Sequence, residues 1–203
     1  MPPADTKKAE DPAKKQGPPK LSDVKDIIDE STFEQILEMD DEDDRDFSKG
    51  IVYGFFDQAK STFKKMEDEL YVLCYPLFSE ITSNSPNRKK KNLKELSSLG
   101  HFLKGSSATL GLTKVKDSCE KIQHYGAGKD EAGVVDEPDN EVSLKHIQST
   151  LTDVKADYTE VEKFLRRFYG EEVKPEDEQK EQKETKKEEE PTTTKKEEKE
   201  TKK

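Results

Sequence analysis

Residues 92–111 read NLKELSSLGHFLKGSSATLG, and leucines recur along this stretch at spacings of three, four and seven residues. These spacings follow the period of an α-helix, and on a helical wheel the leucines fall within about a third of the circle. Asn92 followed by Glu95 is typical of a helix start, and Gly111 can end the helix as a C-cap. The stretch therefore predicts an amphipathic helix whose leucine face is turned to a core.

Segments before this stretch show the same helical period. A capping box at Ser31 and Glu34 predicts a short helix over 31–39. An acidic run then interrupts the pattern, and a long amphipathic helix begins near Asp46. We expect the long helix to pack on the leucine face and the short helix to cover one end of the domain.

Two more amphipathic segments follow. Thr113 can cap a fourth helix that Gly126 closes, and after a polar loop Ser143 opens a last helix that ends at Gly170. No segment shows the alternation of a β-strand. Four substantial helices joined by short or polar loops predict an all-α fold, an antiparallel four-helix bundle with a short N-terminal cap helix.

Composition separates this bundle from the two ends of the chain. Only 29% of the 203 residues are hydrophobic and 40% are charged, a low apolar share for a globular protein. We therefore predict a disordered arm over 1–28, a folded domain over 29–170 and a disordered, Lys/Glu-rich tail over 171–203. The net charge of −10 argues against nucleic-acid binding, and no stretch is apolar enough to span a membrane.

The candidate functional residue is His101, which falls off the leucine face of its helix. Its neighbours one turn away include Lys104 and Gly105, and a glycine inside a helix costs roughly 1 kcal/mol relative to alanine. Small residues would let another protein approach the imidazole, and the ammonium would favour a negatively charged group attached to it. Two alternatives stay open: His101 is an ordinary surface histidine, and the small residues serve close helix packing.

Residues 101–111, HFLKGSSATLG, resemble the phosphorylation motif of histidine-containing phosphotransfer (HPt) proteins. That motif is His-x-Leu-Lys-Gly-Ser with Ala and Gly downstream. Similarity to the fungal, osmosensing members of the family extends over residues 31–127 and, by pattern, over the last helix. Four further segments carry it: 39–43, 46–50, 57–59 and 119–123.

The resemblance implies a phosphorelay intermediate. His101 would accept a phosphoryl group from an aspartate in the receiver domain of a hybrid histidine kinase and pass it to receiver domains of response regulators. Lys104 would balance the phosphoryl charge, Gly105 would allow approach, and Gln123 would hold the imidazole by a hydrogen bond. No cofactor is implied, because the receiver domain would supply the divalent metal. The protein would not be an enzyme, since it has neither a kinase domain nor an ATP site.

One position departs from the family pattern. A basic residue is expected directly after the glycine that matches Gly126, but this chain has Ala127 there. Either Lys129 reaches the site from two residues further on, or the second positive charge is missing.

The resemblance also implies an apolar patch on which receiver domains dock. It would comprise Ile36, Met39, Phe47 and Ile51, and the alternative is that these side chains belong to the core beneath the cap helix. The expected partners are receiver domains, with no nucleic acid or membrane, and the protein is expected to be a monomer in the cytoplasm and nucleus.

A second function class is a helical-bundle adaptor that binds receiver domains without being phosphorylated. The combination of His101, Lys104, Gly105 and Gln123 favours the relay, because an adaptor needs none of them. The remaining histidines and the two cysteines lack metal-ligand spacing, so we expect no metal site and reduced cysteines. The basic run at 88–91 is either a solvated loop, a docking patch or a nuclear-import signal.

Overall fold

The structure, a computed structural model, describes residues 19–41, 44–74 and 86–171, without the side chains of 72–74 and 86–91. A short 3₁₀ helix over Leu21–Val24 precedes five α-helices. These helices are α1 (Glu30–Leu37), α2 (Asp46–Cys74), α3 (Pro86–Thr109), α4 (Thr113–Gly126) and α5 (Asn140–Phe168). The described segments contain isolated β-bridges but no strand, which confirms the predicted all-α class.

The four long helices pack around one apolar core. Helix α3 packs most extensively on α4, α4 packs on α5, and α2 completes the bundle against α3 and α5. The leucine face of α3 is buried as its period predicts, and aromatic rings fill the seam between α2 and α5. None of the described helices meets the length and apolarity that a membrane span requires.

The folded part begins before residue 29, the boundary that composition predicted. Ile27 and Ile28 are fully buried, and Leu21 is also part of the core. The Thr113 amide donates to the Ile27 carbonyl, and Ile28 forms a β-bridge with Leu112. This segment therefore packs on the turn between α3 and α4. Residues 1–18 and 172–203, the rest of the predicted arm and tail, lie outside the described residues.

Helix α1 begins at a different cap from the one predicted. Asp29, not Ser31, is the N-cap, because its carboxylate accepts hydrogen bonds from the Ser31 amide and from the Thr32 hydroxyl. The helix ends at Leu37, so Met39 lies in the turn that follows. Aspartate is as good a cap as serine, and the helix begins at the earlier residue.

Two other helix starts also differ from prediction. Helix α3 starts at Pro86 rather than Asn92, so the basic run at 88–91 lies in its first turns, with side chains outside the described residues. Proline suits a first helical position because its missing N–H would have no partner there. Helix α5 starts after Asp139, which caps the Glu141 amide, and not at Ser143.

Candidate functional site

His101 lies on the exposed side of α3, whereas Leu103 and Leu96 on either side of it are buried completely. Its exposure follows from its position on the helical wheel, as the leucine pattern predicted. The imidazole is therefore accessible to another protein.

Gln123 of α4 holds the imidazole from one side. Oε1 of Gln123 lies 3.3 Å from Nδ1 of His101. Because an amide oxygen only accepts hydrogen bonds, Nδ1 must donate, and in a neutral ring Nε2 is then left with a free lone pair. The Ser97 hydroxyl donates to the Gln123 carbonyl at 2.8 Å, which ties the same stretch of α4 to α3. The arrangement orients the ring and leaves Nε2, the nucleophilic nitrogen, without a hydrogen bond to Gln123.

The glycines near His101 have two different roles. A Cβ at Gly100 would lie 2.9 Å from the Cys119 carbonyl oxygen, and one at Gly126 would lie 2.6 Å from the Leu93 carbonyl oxygen. These two glycines allow α3 and α4 to approach closely. A Cβ at Gly105 would meet nothing within 4 Å, so helix packing, the alternative raised for this residue, does not explain it.

Lys104 forms an ion pair that the sequence analysis missed. Its ammonium lies 3.3 Å from a carboxylate oxygen of Glu120 on α4, and both side chains are partly exposed. Glu120 precedes Gln123 by three residues, so the two share one face of α4. That spacing was the available signal for Glu120.

Lys129 is engaged within the loop that joins α4 and α5. Its ammonium forms an ion pair with Asp136, and the backbones of the two residues form a β-bridge. The turn after α4 has its positive φ at Gly128, not at Gly126. Lys129 is the candidate for the second cation that the family pattern would place after Gly126. Its ammonium is already paired with Asp136.

The predicted docking patch divides into exposed and buried members. Met39 is 63% exposed and Phe47 46% exposed, whereas Ile51 is half-buried against the core. Ile36 of α1 is buried in the core, which is the alternative raised for it, so it offers almost no surface to a partner. Ile36 and Met39 differ in burial because α1 ends at Leu37, before Met39.

A hydrogen bond links the two backbone segments that carry the exposed members of the patch. The Ser48 amide donates to the Asp40 carboxylate at 2.7 Å, across the acidic connection between α1 and α2. Met39 and Phe47 are the chain neighbours of these two residues, so the bond holds the backbone segments that carry them close to each other. Phe102, next to His101 on α3, is also half-exposed and was not among the predicted patch residues.

In the described part of the chain, no group of three or more His, Cys, Asp or Glu residues has an arrangement that could hold a metal ion. The contacts around His101 come from an amide, a hydroxyl and an ammonium–carboxylate pair. This donor set suits the orientation of an imidazole and the binding of an anion.

Comparison with known proteins gives consistent matches. Residues 51–157 match the Hpt domain family. Multistep phosphorelay regulator 1 of Schizosaccharomyces pombe is 42% identical over 145 residues, which are 71% of this chain and 43% of that protein. The phosphorelay intermediate protein YPD1 of Saccharomyces cerevisiae is 44% identical over 100 residues, 49% of each chain. The chain thus spans at most about half the length of these curated relatives.

Solved structures also match this chain. The S. cerevisiae histidine phosphotransfer signaling protein Ypd1, co-crystallised with the receiver domain of its downstream response regulator Ssk1, has a TM-score of 0.55 and 29% identity. The match covers 71% of this chain and 95% of that one. A crystal structure of yeast YPD1 gives the same TM-score and covers 72% and 96%.

Proposed function

Because the chain belongs to the Hpt domain family, we propose that it is a phosphorelay intermediate and that His101 carries the phosphoryl group. The observation that carries the proposal is the exposed imidazole, held at Nδ1 by Gln123 and free at Nε2. An adaptor that only binds receiver domains has no need of an oriented nucleophile.

The transfer step uses the free nitrogen. Nε2 of His101 attacks the phosphorus of an aspartyl phosphate on a receiver domain, the N–P bond forms, and the P–O bond to the aspartate breaks. The aspartate leaves as a carboxylate, and the imidazole gains a formal positive charge while Nδ1 keeps its proton. A hydrogen bond from a charged donor is stronger than a neutral one, so Gln123 Oε1 stabilises the phosphorylated ring more than the free ring. The reverse steps deliver the group to a second receiver.

The expected partners are receiver domains of a hybrid histidine kinase and of response regulators. Two observations support them: Met39 and Phe47 are exposed apolar side chains, and the Ypd1 structure was solved with a receiver domain. Gly105, with open space around it, allows a receiver to approach the ring. The receiver would supply the divalent metal, and this chain would contribute position and charge.

The biological setting is part of the same proposal. Similarity to the fungal, osmosensing relay proteins supports a role in osmotic signalling, acting in the cytoplasm and the nucleus. Imaging of the tagged protein before and after osmotic stress tests it, and exclusion from the nucleus under both conditions would contradict it.

The test is phosphoryl transfer from a phosphorylated receiver domain to the full chain, read by intact mass and by acid lability. We expect a gain of one phosphoryl group in the wild type and none in His101→Gln, with both proteins binding the receiver. His146→Gln is the matched control, because this histidine is exposed and stacks on Tyr125 in the seam between α4 and α5. Binding without transfer in the wild type would favour the adaptor function.

A further inference from the structure

The ion pair between Lys104 and Glu120 lies directly beside the contact between His101 and Gln123. Lys104 follows His101 by three residues on α3, and Glu120 precedes Gln123 by three residues on α4. Because α3 and α4 are antiparallel, the His101–Gln123 and Lys104–Glu120 contacts lie next to each other along the interface between the two helices. A group attached to the imidazole therefore adds its charge next to an ammonium that already has a carboxylate partner.

Phosphorylation of His101 changes the charge balance at the Lys104–Glu120 ion pair. Before it, Lys104 and Glu120 neutralise each other at 3.3 Å. A phosphoryl group brings a charge of about −1.5 to −2 and three acceptor oxygens, so two anions compete for one ammonium. Every contact that Lys104 makes with the phosphoryl group weakens its contact with Glu120.

We propose that Glu120 is a positioning residue that holds Lys104 in the unphosphorylated protein and releases it to the phosphoryl group on His101. This inference rests on the proposed function. Glu120 then stabilises the unphosphorylated state relative to the phosphorylated one, and the phosphoryl group passes more readily to a receiver. The residue sets the equilibrium of the relay step without contacting the reacting atoms.

The size of the effect follows from exposure. The side chain of Lys104 is 25% exposed and that of Glu120 is 44% exposed, so solvent screens their interaction. Exposed ion pairs contribute up to about 1 kcal/mol, which converts to a change of about twofold to fivefold in an equilibrium constant. An effect of this size tunes the relay and does not abolish it.

The experiment measures the equilibrium between phosphorylated receiver and phosphorylated protein for the full chain and for Glu120→Gln. The glutamine keeps the size and the hydrogen-bond acceptor but removes the charge. We expect the ratio of phosphohistidine to phosphoaspartate to rise about twofold to fivefold, and we expect the difference to shrink at high salt.

Asp117→Asn is the matched control. Asp117 lies one turn before Glu120 on α4, pairs with Lys116 at 3.2 Å, and has no described contact with Lys104. The control makes the same change in net charge on the same helix. If it raises the ratio as much as Glu120→Gln does, the effect is general electrostatics and the proposal is wrong.

A double variant tests whether Glu120 acts through Lys104. In a Lys104→Gln background, Glu120→Gln should change the ratio no more than Asp117→Asn does. A full effect in that background would overturn the proposal, since it would show direct repulsion between Glu120 and the phosphoryl group. Circular dichroism checks that each variant is folded. Absence of phosphohistidine in the wild type would contradict the relay itself, whereas equal ratios in wild type and Glu120→Gln would contradict this inference alone.

Discussion

Nδ1 of His101 and Oε1 of Gln123 lie 3.3 Å apart across the seam between α3 and α4. The contact is possible because Gly100 lets the backbone of α4 approach α3 next to the histidine. One close helix approach thus supplies both the packing of the bundle and the orientation of its exposed nucleophile.

Gln123→Ala should slow phosphoryl transfer to His101 without preventing receiver binding. Loss of one hydrogen bond to a ring that becomes charged costs about 1–2 kcal/mol, which corresponds to about fivefold to thirtyfold in rate. Rapid-quench measurement of phosphohistidine formation checks this. Gln148→Ala, at an exposed position of α5, serves as control, and an unchanged rate in Gln123→Ala would show that the hydrogen bond has no part in transfer.

Gly105→Ala and Gly100→Ala should have opposite effects on stability. At Gly105 the added methyl group meets open space, so the gain in helix propensity should raise the free energy of unfolding by about 0.5–1 kcal/mol. At Gly100 it would meet the backbone of α4, and overpacking costs about 1–3 kcal/mol. Urea titration measures both.

The Gly105→Ala variant also separates stability from function. Gly105→Ala should slow phosphoryl transfer from a receiver although the protein is more stable, because the methyl group narrows the approach to His101. Transfer at the wild-type rate would mean that the receiver does not contact this turn of α3.

Met39→Asp should weaken receiver binding about tenfold and leave the helical circular dichroism signal unchanged. Met39 is 63% exposed, and a charge there disrupts an apolar contact worth more than about 1 kcal/mol. Isothermal titration calorimetry measures the affinity. Ile36→Asp should instead unfold the domain, because Ile36 is buried. Val134→Asp, an exposed position in the loop after α4, is the control, and equal affinities for it and Met39→Asp would argue against the patch.

Cys119 should resist thiol reagents in the folded protein. Burial raises the pKa of its thiol to about 12, so almost no reactive thiolate exists at pH 8. The measurement uses a Cys74→Ser background and an aromatic disulfide reagent, with denaturant added as the control. Fast labelling without denaturant would show that α4 separates readily from the core.

Protonation of Glu162 should make the domain less stable in acid. Burial opposes ionisation of this carboxyl, but hydrogen bonds from Lys60 and Arg166 outweigh it and hold its pKa below the usual 4.5. A carboxyl with a lowered folded pKa stabilises the protein above its unfolded pKa, and that contribution is lost as the pH falls through the folded value. Unfolding free energy should therefore fall as the pH is lowered from about 5.

Glu162→Gln tests the same network. It should lower the free energy of unfolding at pH 7 by about 1–3 kcal/mol, because it leaves two cations with a weaker acceptor, and it should flatten the acid dependence. Glu160→Gln, at an exposed position of the same helix, should do neither. Parallel pH profiles for wild type and Glu162→Gln would assign the acid sensitivity to other carboxyls.

The local sequence was enough to predict the helices and one feature of the site, the exposure of His101. The side-chain period decides which face of a helix is apolar, so the burial of Leu96 and Leu103 and the exposure of His101 could be read from spacing alone. The glycines at 111 and 170 have the positive φ expected after helix ends.

Helix boundaries were less predictable because several residues can cap the same end. Asp29 and Ser31 are equally good N-caps by type, and the Asp29 amide's hydrogen bond to the Gly111 carbonyl comes from a segment 82 positions away in the chain. Ile27 and Ile28 form too short an apolar pair to show a period, so their burial was not visible in the sequence.

By itself, then, the sequence determined that this protein is a helical bundle with an exposed histidine in a phosphotransfer-like motif. Only the tertiary structure decided that Lys104 pairs with Glu120, that Gly105 is open while Gly100 is packed, and that Ile36 is buried while Met39 is exposed. The reason is physical. Contacts between helices depend on their relative rotation and register, which all core side chains set together through close packing, so no local segment contains them.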